Sequence, residues 1–355
     1  MPAPHNPFKA ALKAGRPQMG CWLGLADPYV AQISAGAGFD WLVIDAEHAP
    51  NDLRSIIGQL QAIGARGRHA VVRPVVGETW MFKRLLDAGA QTLLIPMVES
   101  AAQARELVRA VTYPPHGVRG VGASLARASD FGGIADYVTT ADAQICLLVQ
   151  VENRAGMAAL EEILAVDGVD GVFIGPSDLA ADMGHPGHTD APEVEAAVLE
   201  GMREIVASGK AGGILTQNPR MQRACLDLGA TIVATAIDVT VFASAIRGSA
   251  RAALALLPGQ SVTGSAVTPS ASRYLQQLCK HWSHKASVSV TPESGSISFE
   301  TGNTVQMTAS EQRLDVTVGT GARGDLARWQ GVVEAHLKRF AFREDLTFDW
   351  SPASD

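Results

Sequence analysis

The chain has 355 residues, 47% of them hydrophobic, and a formal net charge of −7. This hydrophobic content supplies a sizeable core and excludes an intrinsically disordered chain. The acidic balance excludes a broad nucleic-acid surface and a basic anchor for acidic membranes, so we expect small molecules or further subunits as partners, with no nucleic acid and no membrane.

Eight short apolar runs follow one another through the first 240 residues. Runs that are apolar along nearly their whole length are typical of strands buried on both faces. Helix-period segments lie between them: Leu53, Ile56 and Leu60 recur at helical spacing, and a later helical pattern ends on Gly89, a typical helix cap. The runs are GCWLGLA (20–26), WLVIDA (41–46), HAVVRPV (69–75), TLLIPMV (92–98), ICLLVQVE (145–152), GVFIGP (171–176), AGGILT (211–216) and TIVATAI (231–237).

Strands that alternate with helices in this way belong to the α/β class. Eight such units predict a parallel (β/α)8 TIM barrel over residues 1–257. A doubly wound sheet is the alternative arrangement of the same elements.

The composition changes in residues 258–271, which are rich in Gly, Pro, Ser and Thr and are predicted to form a linker. Residues 272–355 then show a helix pattern, four runs that alternate between apolar and polar residues, and a second amphipathic helix. This α-β-β-β-β-α order predicts a small α+β domain. We interpret its CKHWSH stretch (279–284) as part of an exposed helix rather than a metal site, and we expect the domain to be accessory.

Four cysteines, at positions 21, 146, 225 and 279, lie far apart and form no C-x-x-C pair. They are predicted to be reduced thiols, which is typical of cytosolic proteins. The chain also shows no apolar run of the length of a signal peptide or a membrane span. We therefore expect a cytoplasmic protein.

Polar side chains collect where the predicted strands end, and in a (β/α)8 barrel these ends carry the active site. Each residue alone has a structural interpretation: an acid after a strand can cap the next helix, an arginine can form a structural salt bridge, and a histidine can be satisfied within the core. Their joint occurrence on one face favours catalysis. They are Asp45, Glu47, His48, Arg73, Gln150, Glu152 and Asp178.

The stretch FDWLVIDAEHAPND (39–52) sets an apolar run directly against two acids and a histidine. Its DAEH segment has three interpretations: a metal-ligand cluster, a general base with its orienting carboxylate, or a polar strand end. Neutral histidine titrates near the operating pH of most enzymes, which suits a general base.

Seven motifs, in order over residues 5–257, resemble the metal-dependent class II pyruvate aldolases of the HpcH/HpaI family, including those that cleave 4-hydroxy-2-oxoheptanedioate. DAEH has Ala46 where the family members that it resembles most have glycine, which leaves the acids and the histidine in place. The chain from about residue 270 resembles a small bacterial domain of unknown function, which the aldolase family does not require. The motifs are FDWLVIDAEHAPND, VVRP, LLIPMVES, YPPHGVRGVGASLARAS, VQVENRAG, GVDGVFIGPSDLAADMG and GKAGGIL.

The resemblance implies the reversible retro-aldol cleavage of 4-hydroxy-2-oxo acids to pyruvate and an aldehyde, through a metal-bound pyruvate enolate, as in aromatic catabolism. It implies a divalent ion (Mg²⁺, Mn²⁺ or Co²⁺) and a homo-oligomer, a hexamer built from dimers that exchange the last barrel helix. Two carboxylates with open coordination positions suit such a hard ion.

The resemblance also implies a role for each site residue. Glu152 and Asp178 are the metal ligands, and His48 is the catalytic base with Asp45 as its partner. This favours the interpretation of DAEH as base plus orienter. The substrate-binding groups are Arg73 at the oxo group, where it also stabilises the enolate, Ser177 and Asp178 through main-chain N–H groups at the carboxylate, and Gln150 beside the metal or substrate.

Other functions compete with this one. A Schiff-base aldolase requires a lysine in the site, but Lys83 lies in a predicted helix and Lys210 precedes its strand. The glycine-rich GVRGVGA (117–123) does not join a strand to a helix as a nucleotide-binding loop does, and we interpret it as a flexible active-site loop. A lyase for acyl-CoA or dicarboxylate substrates stays open. The full set of polar residues argues against a catalytically silent binding protein.

Overall fold

A computed structural model describes residues 2–352 of the chain. The chain divides into two compact units, residues 1–243 and 244–355. The first unit contains a closed barrel of eight parallel strands in which β8 pairs with β1, and this confirms the predicted (β/α)8 fold over the doubly wound alternative. The strands are β1 (Gln18–Leu23), β2 (Trp41–Asp45), β3 (His69–Arg73), β4 (Thr92–Ile95), β5 (Cys146–Val151), β6 (Gly171–Ile174), β7 (Ala211–Leu215) and β8 (Ile232–Ile237).

Each strand is followed by at least one helix, as parallel neighbours require. Two helices follow β5 and two follow β6, and a helix precedes β1. The long connection between the helix after β4 and β5 holds two short 3₁₀ turns, 127–129 and 142–144. The helices are α1 (Pro7–Lys13), α2 (Pro28–Ala35), α3 (Leu53–Gly64), α4 (Thr79–Asp87), α5 (Ala101–Val111), α6 (Tyr137–Thr140), α7 (Arg154–Ala158), α8 (Leu160–Leu164), α9 (Pro176–Asp182), α10 (Pro192–Ala207), α11 (Pro219–Leu228) and α12 (Asp238–Leu254).

The barrel strands bury both faces, which explains why they are apolar throughout. Successive side chains of a strand point to opposite faces. In β2, Trp41 and Val43 belong to the cluster inside the barrel, whereas Leu42 and Ile44 belong to the larger core between the sheet and the helices. This alternation decides which polar residues reach the barrel interior at the strand ends.

Helix α1 closes the amino-terminal end of the barrel. Its Phe8 lies 5.6 Å from Trp41 and is stacked on His69, with ring centroids 5.1 Å apart. The Nε2 atom of His69 lies 2.7 Å from Thr92 Oγ1. Although an edge of the imidazole stays accessible, protein surrounds it on nearly every side, and this burial lowers the pKa of His69 to about 4.

The second unit is an α+β domain with a six-stranded antiparallel sheet in the order β10-β11-β12-β13-β9-β14. Apolar side chains of both helices and of one sheet face form its core, which includes Leu275, Leu278, Val316 and Leu337. Its elements are β9 (Gln260–Val267), α13 (Ala271–Trp282), β10 (Ser287–Val290), β11 (Ser294–Ser298), β12 (Thr304–Ala309), β13 (Arg313–Thr320), α14 (Leu326–Phe340) and β14 (Asp349–Pro352).

The interpretation of residues 258–271 as a linker is wrong, because Gln260–Val267 forms β9 and pairs with β13 on one side and β14 on the other. Its small residues misled the composition argument. Val262 and Ala266 alternate into the core, and Gly264 is required because an added Cβ would lie 2.5 Å from the Trp350 ring. Strand β14 was not predicted either.

All four cysteines are free and buried, as expected for reduced thiols. Between residues 2 and 352, the structure has no helix that is both long and apolar enough to cross a membrane.

The buried His69 predicts a specific pH dependence of stability. As the pH falls from about 6.5 toward 4, the unfolded chain takes up a proton that the folded chain does not, so the free energy of unfolding should fall by at most about 1.4 kcal/mol per pH unit. His69→Gln should remove this contribution. The stability difference between the two proteins, measured by urea titration from pH 7.5 to 4.5, should therefore shrink on acidification. His5→Gln, at an exposed position, controls for the loss of a histidine, and a constant difference would contradict the argument.

Candidate active site

The strand period places four of the predicted polar residues inside the barrel at its carboxyl-terminal end. Trp41 and Val43 point inward, so the next inward position of β2 is Asp45, and Val71 is followed inward by Arg73. In β5, Cys146 and Leu148 point inward, and Gln150 and then Glu152 continue that row. All four polar residues are buried.

Asp45 and Arg73 form a buried, two-point ion pair between neighbouring strands. Arg73 Nε donates to Asp45 Oδ1 at 2.9 Å and Nη2 donates to Oδ2 at 2.6 Å. The indole N–H of Trp22 donates to Oδ2 at 3.2 Å, and the Arg73 guanidinium lies 4.9 Å from the Trp22 ring centroid. Burial alone would raise the pKa of Asp45, but the hydrogen bonds and charge of Arg73 outweigh it, and the pKa lies below its ordinary value.

The expected contact between the Asp45 carboxylate and the His48 imidazole is not what the structure has. Asp45 Oδ1 accepts the main-chain N–H groups of Glu47, at 2.9 Å, and His48, at 3.4 Å. These bonds, with the pair to Arg73, occupy the carboxylate. The imidazole itself is largely exposed and lies at the cavity wall. Asp45 therefore orients Arg73 and the DAEH backbone rather than the imidazole.

Glu47 is the carboxylate beside the imidazole. Its Oε2 atom lies 2.9 Å from Arg73 Nη1, in an ion pair without an aligned hydrogen bond, and 3.8 Å from His48 Nε2, a contact that is an ion pair only when the imidazole is protonated. Burial raises the pKa of Glu47, the charges of Arg73 and His48 oppose that shift, and the carboxylates of Asp45 and Asp178 add to it. The sequence placed Glu47 at the strand end but assigned it no role.

Glu152 is buried and is held by two donors. Its Oε1 atom accepts the Met97 main-chain N–H at 2.8 Å, and Oε2 accepts from the side-chain amide of Gln150. Burial raises the pKa of Glu152 to about 7, and the nearby charges of Asp178 and Glu47 add to the effect. Met97 donates from a left-handed backbone with φ 55°. Such strain in a non-glycine residue often marks a functional position, although nothing in the sequence announced it.

Asp178 and Ser177 lie in the first turn of α9, directly after β6. Pro176 begins this helix, and main-chain N–H groups of a first turn have no carbonyl partner within the helix. Both side chains are exposed at the cavity. They therefore face the same space as the residues of β2, β3 and β5.

One cavity of about 670 Å³ collects these groups. Glu152 does not itself line this cavity, but its Oε2 atom accepts from Gln150 and lies next to Gly175, and both of these residues line it. A second cavity of about 430 Å³, with Trp80, Met81 and Leu85 among its residues, contains none of the predicted site residues. The predicted residues that line the first cavity are Asp45, His48, Arg73, Gln150, Ser177 and Asp178, together with Trp22 and a polar rim of Thr189, Thr216, Gln217, Asn218 and Thr240.

The residues present fit a hard divalent ion. Glu152 and Asp178 provide two carboxylates close enough to raise the pKa of Glu152 by mutual repulsion, which a cation would relieve. The buried Gln150 Oε1 atom has no hydrogen-bond partner in the part of the chain that the structure describes, 2–352. Within the same residues no cluster of three or more His, Cys, Asp or Glu side chains could hold a metal. The donor set is thus two carboxylates, which suits an ion that keeps open positions for water and substrate.

Comparison with known proteins gives two family matches. The profile of the HpcH/HpaI aldolase/citrate lyase family matches residues 18–245. The profile of DUF2218, described as an uncharacterized protein conserved in bacteria, matches residues 263–351. The division agrees with the barrel in the first part of the chain and the six-stranded sheet in the second.

Individual relatives support the first match. The chain is 56% identical over 274 residues to a hydroxypyruvate/pyruvate aldolase of Agrobacterium fabrum, covering 77% of this chain and all of that protein. It is 52% identical over 265 residues to a 4-hydroxy-2-oxo-heptane-1,7-dioate aldolase of Shigella boydii, covering 75% and 98%. The crystal structure of an HpcH/HpaI aldolase/citrate lyase family protein from Burkholderia cenocepacia superimposes with a TM-score of 0.67 at 39% identity, covering 70% and 99%.

Gly175 gives a steric test of the cation site. A Cβ atom there would lie 2.5 Å from Glu152 Oε2 and 2.9 Å from Gln150 Nε2, while the backbone (φ −99°) accepts any residue. Gly175→Ala should displace the Glu152 carboxylate and weaken Mn²⁺ binding at least 10-fold in titration calorimetry. Gly64→Ala, where an added Cβ meets nothing, is the matched control. Unchanged Mn²⁺ affinity in Gly175→Ala would mean that Glu152 is not a ligand.

Proposed function

This chain belongs to the HpcH/HpaI aldolase/citrate lyase family, and from that premise we propose how its barrel cleaves 4-hydroxy-2-oxo acids reversibly into pyruvate and an aldehyde. The activity makes it a carbon–carbon lyase. The observation that carries the proposal is the convergence of the buried Arg73, the exposed His48 and the Asp178 carboxylate on one cavity, with the Glu152 carboxylate directly behind its lining residue Gln150.

Glu152 and Asp178 hold a divalent ion, Mg²⁺, Mn²⁺ or Co²⁺, in this proposal. When bound, the ion supplies positive charge beside the carboxylate and oxo oxygens of the substrate. Glu152 is held by the Met97 N–H and the Gln150 amide, and the Gln150 Oε1 atom, which has no partner among the described residues, can accept a hydrogen bond from a water or a substrate hydroxyl. The main-chain N–H groups of Ser177 and Asp178 bind the substrate carboxylate from the first turn of α9.

Arg73 stabilises the charge that develops in the reaction. Asp45 takes Nε and one N–H of Nη2, which fixes the plane of the guanidinium and leaves further N–H groups of the terminal nitrogens for the substrate. As the C3–C4 bond breaks, its electron pair passes into the pyruvate enolate, and negative charge grows on the former oxo oxygen. A guanidinium held before the reaction begins costs no reorganisation at that moment.

His48 acts as the general base. The C4 hydroxyl loses its proton as the aldehyde forms, and an unprotonated ring nitrogen of His48 accepts it. The proton then returns to C3 of the enolate to give pyruvate, so protons balance over the cycle. The largely exposed imidazole at the cavity wall is free to reach the substrate.

We further infer that the protein is a homo-oligomer, a hexamer built from dimers that exchange α12. Exposed apolar side chains line this helix, and its one buried side chain is Asp238. Asp238 Oδ1 accepts the Gly24 N–H at 2.7 Å, which fixes only the start of the helix. An amphipathic helix with an uncovered apolar face needs a partner. The exposed side chains include Val239, Val241, Phe242 and Ile246.

The oligomer proposal predicts that Phe242→Glu together with Ile246→Glu dissociates the assembly. In the assembly, the two carboxylates would have to be buried against the partner subunit. The free-energy cost of burying them far exceeds the free energy that the apolar side chains gain there. Light scattering should show a hexamer for the unsubstituted protein and smaller species for the variant. Arg247→Glu and Arg251→Glu, charge changes on exposed positions of the same helix, should keep more of the hexamer, and a monomeric unsubstituted protein would contradict the proposal.

The assay for the activity is pyruvate release from 4-hydroxy-2-oxo acids with and without metal. EDTA should abolish release and Mg²⁺, Mn²⁺ or Co²⁺ should restore it, whereas full activity in excess EDTA would rule out the metal-dependent mechanism.

His48→Ala should lower kcat by roughly 10²- to 10⁴-fold, the usual contribution of a positioned base. Asp178→Ala should lose most turnover, while Asp182→Ala on the same helix, whose carboxylate binds Arg154, should not.

A further inference from the structure

We propose that Glu47 is a positioning residue that holds the His48 imidazole and the Arg73 guanidinium in register and places a negative charge beside the ring that accepts the proton. The inference deepens the proposed function and rests on it for the role of His48. Three observations described above support it. Glu47 pairs with Arg73, Glu47 lies close to the His48 ring, and the Asp45 carboxylate already accepts hydrogen bonds from other groups.

Glu47 is the side chain that touches both functional groups. Its Oε2 atom lies 2.9 Å from Arg73 Nη1 and 3.8 Å from His48 Nε2. The carboxylate is only 15% exposed, whereas the imidazole is 67% exposed. A mostly buried anion can therefore fix the position of an exposed ring.

Asp45 is not available for this task. Its Oδ1 atom already accepts from Arg73 Nε and from the main-chain N–H groups of Glu47 and His48, and its Oδ2 atom accepts from Arg73 Nη2 and Trp22 Nε1. Five donors exceed the usual four lone-pair positions of a carboxylate. The two acids of DAEH therefore have different roles. Asp45 fixes the DAEH backbone and Arg73, and Glu47 lies beside the His48 imidazole.

The position of Glu47 also selects a tautomer. A carboxylate beside Nε2 favours hydrogen on that nitrogen, which leaves Nδ1 as the acceptor for the substrate proton. When His48 takes the proton it becomes an imidazolium, and the nearby negative charge stabilises it. Arg73 and His48 favour the ionised form of Glu47, and the carboxylates of Asp45, Asp178 and Glu152 disfavour it.

The test compares Glu47→Gln and Glu47→Asp with the unsubstituted protein across pH. Glu47→Gln removes the charge but keeps the shape, so His48 should hold a proton less readily. The acidic limb of the kcat/KM profile should move to lower pH by about 0.5 to 1 unit, and kcat should fall about 10-fold with KM for the 2-oxo acid changed less than about 3-fold. Glu47→Asp keeps the charge, so its acidic limb should stay nearer to that of the unsubstituted protein. Glu78→Gln, at an exposed position of the β3–α4 loop, is the matched control.

A second readout does not depend on turnover. NMR titration of the His48 ring, assigned by its loss in His48→Ala, should show the same downward shift in Glu47→Gln and none in Glu78→Gln. An unshifted midpoint and an unshifted acidic limb would overturn the proposal. It would also be overturned if Glu47→Gln abolished the limb and matched His48→Ala in rate, because Glu47 would then be the base itself. If the unsubstituted protein released no pyruvate, the proposed function would fail, and the NMR midpoint would still decide the Glu47–His48 coupling.

Discussion

The candidate site depends on one buried cation, the guanidinium of Arg73. A charge with so little solvent contact is tolerated only when anions and aligned acceptors surround it. Asp45 meets it with two hydrogen bonds from the neighbouring strand, Glu47 adds a second anion, and the ring of Trp22 packs against it. Trp22 and Asp45 are fixed in turn by strands β1 and β2 of the barrel. The contacts that offset the free-energy cost of burying this charge also fix its orientation. A planar guanidinium that is bound at two points has little freedom to rotate.

The sequence predicted the barrel well, for a physical reason. Buried parallel strands must be apolar on both faces, so each produces a continuous run that composition alone reveals, and the eight runs were found within a few residues of their observed bounds. The polar residues at the ends of these runs were equally easy to recognise, because few structural roles explain a charged residue directly after a buried apolar strand. The inward positions of Asp45, Arg73, Gln150 and Glu152 then follow from the period of two.

Other parts of the structure were beyond the sequence. Which group Asp45 binds depends on its neighbour across the sheet, since Asp45 and Arg73 share a register between β2 and β3 that the linear chain does not display. The family resemblance implied His48 as the partner of Asp45 instead. The role of Met97 depends on an uncommon backbone angle, a positive φ. The strand β9 forms because its Ser, Thr and Gly residues pair with β13 and β14. A stretch of Ser, Thr and Gly residues is typical of a flexible linker. The same composition also arises in a strand such as β9, which has a polar outer face and a small inward residue, Gly264, against the Trp350 ring.

The position of β9 also orders events during synthesis. In the register of the second sheet, Val262 faces Val318 of β13 and Pro352 of β14, so the first strand of this sheet has no strand neighbours until nearly the whole chain has left the ribosome. In the barrel, β1 gains its first neighbour, β2, soon after it emerges, and only its second neighbour, β8, comes late. Contacts of long sequence separation form late and leave edges open meanwhile. A ribosome stalled after residue 300 would thus carry a complete set of barrel strands and a β9 that still lacks both of its neighbours.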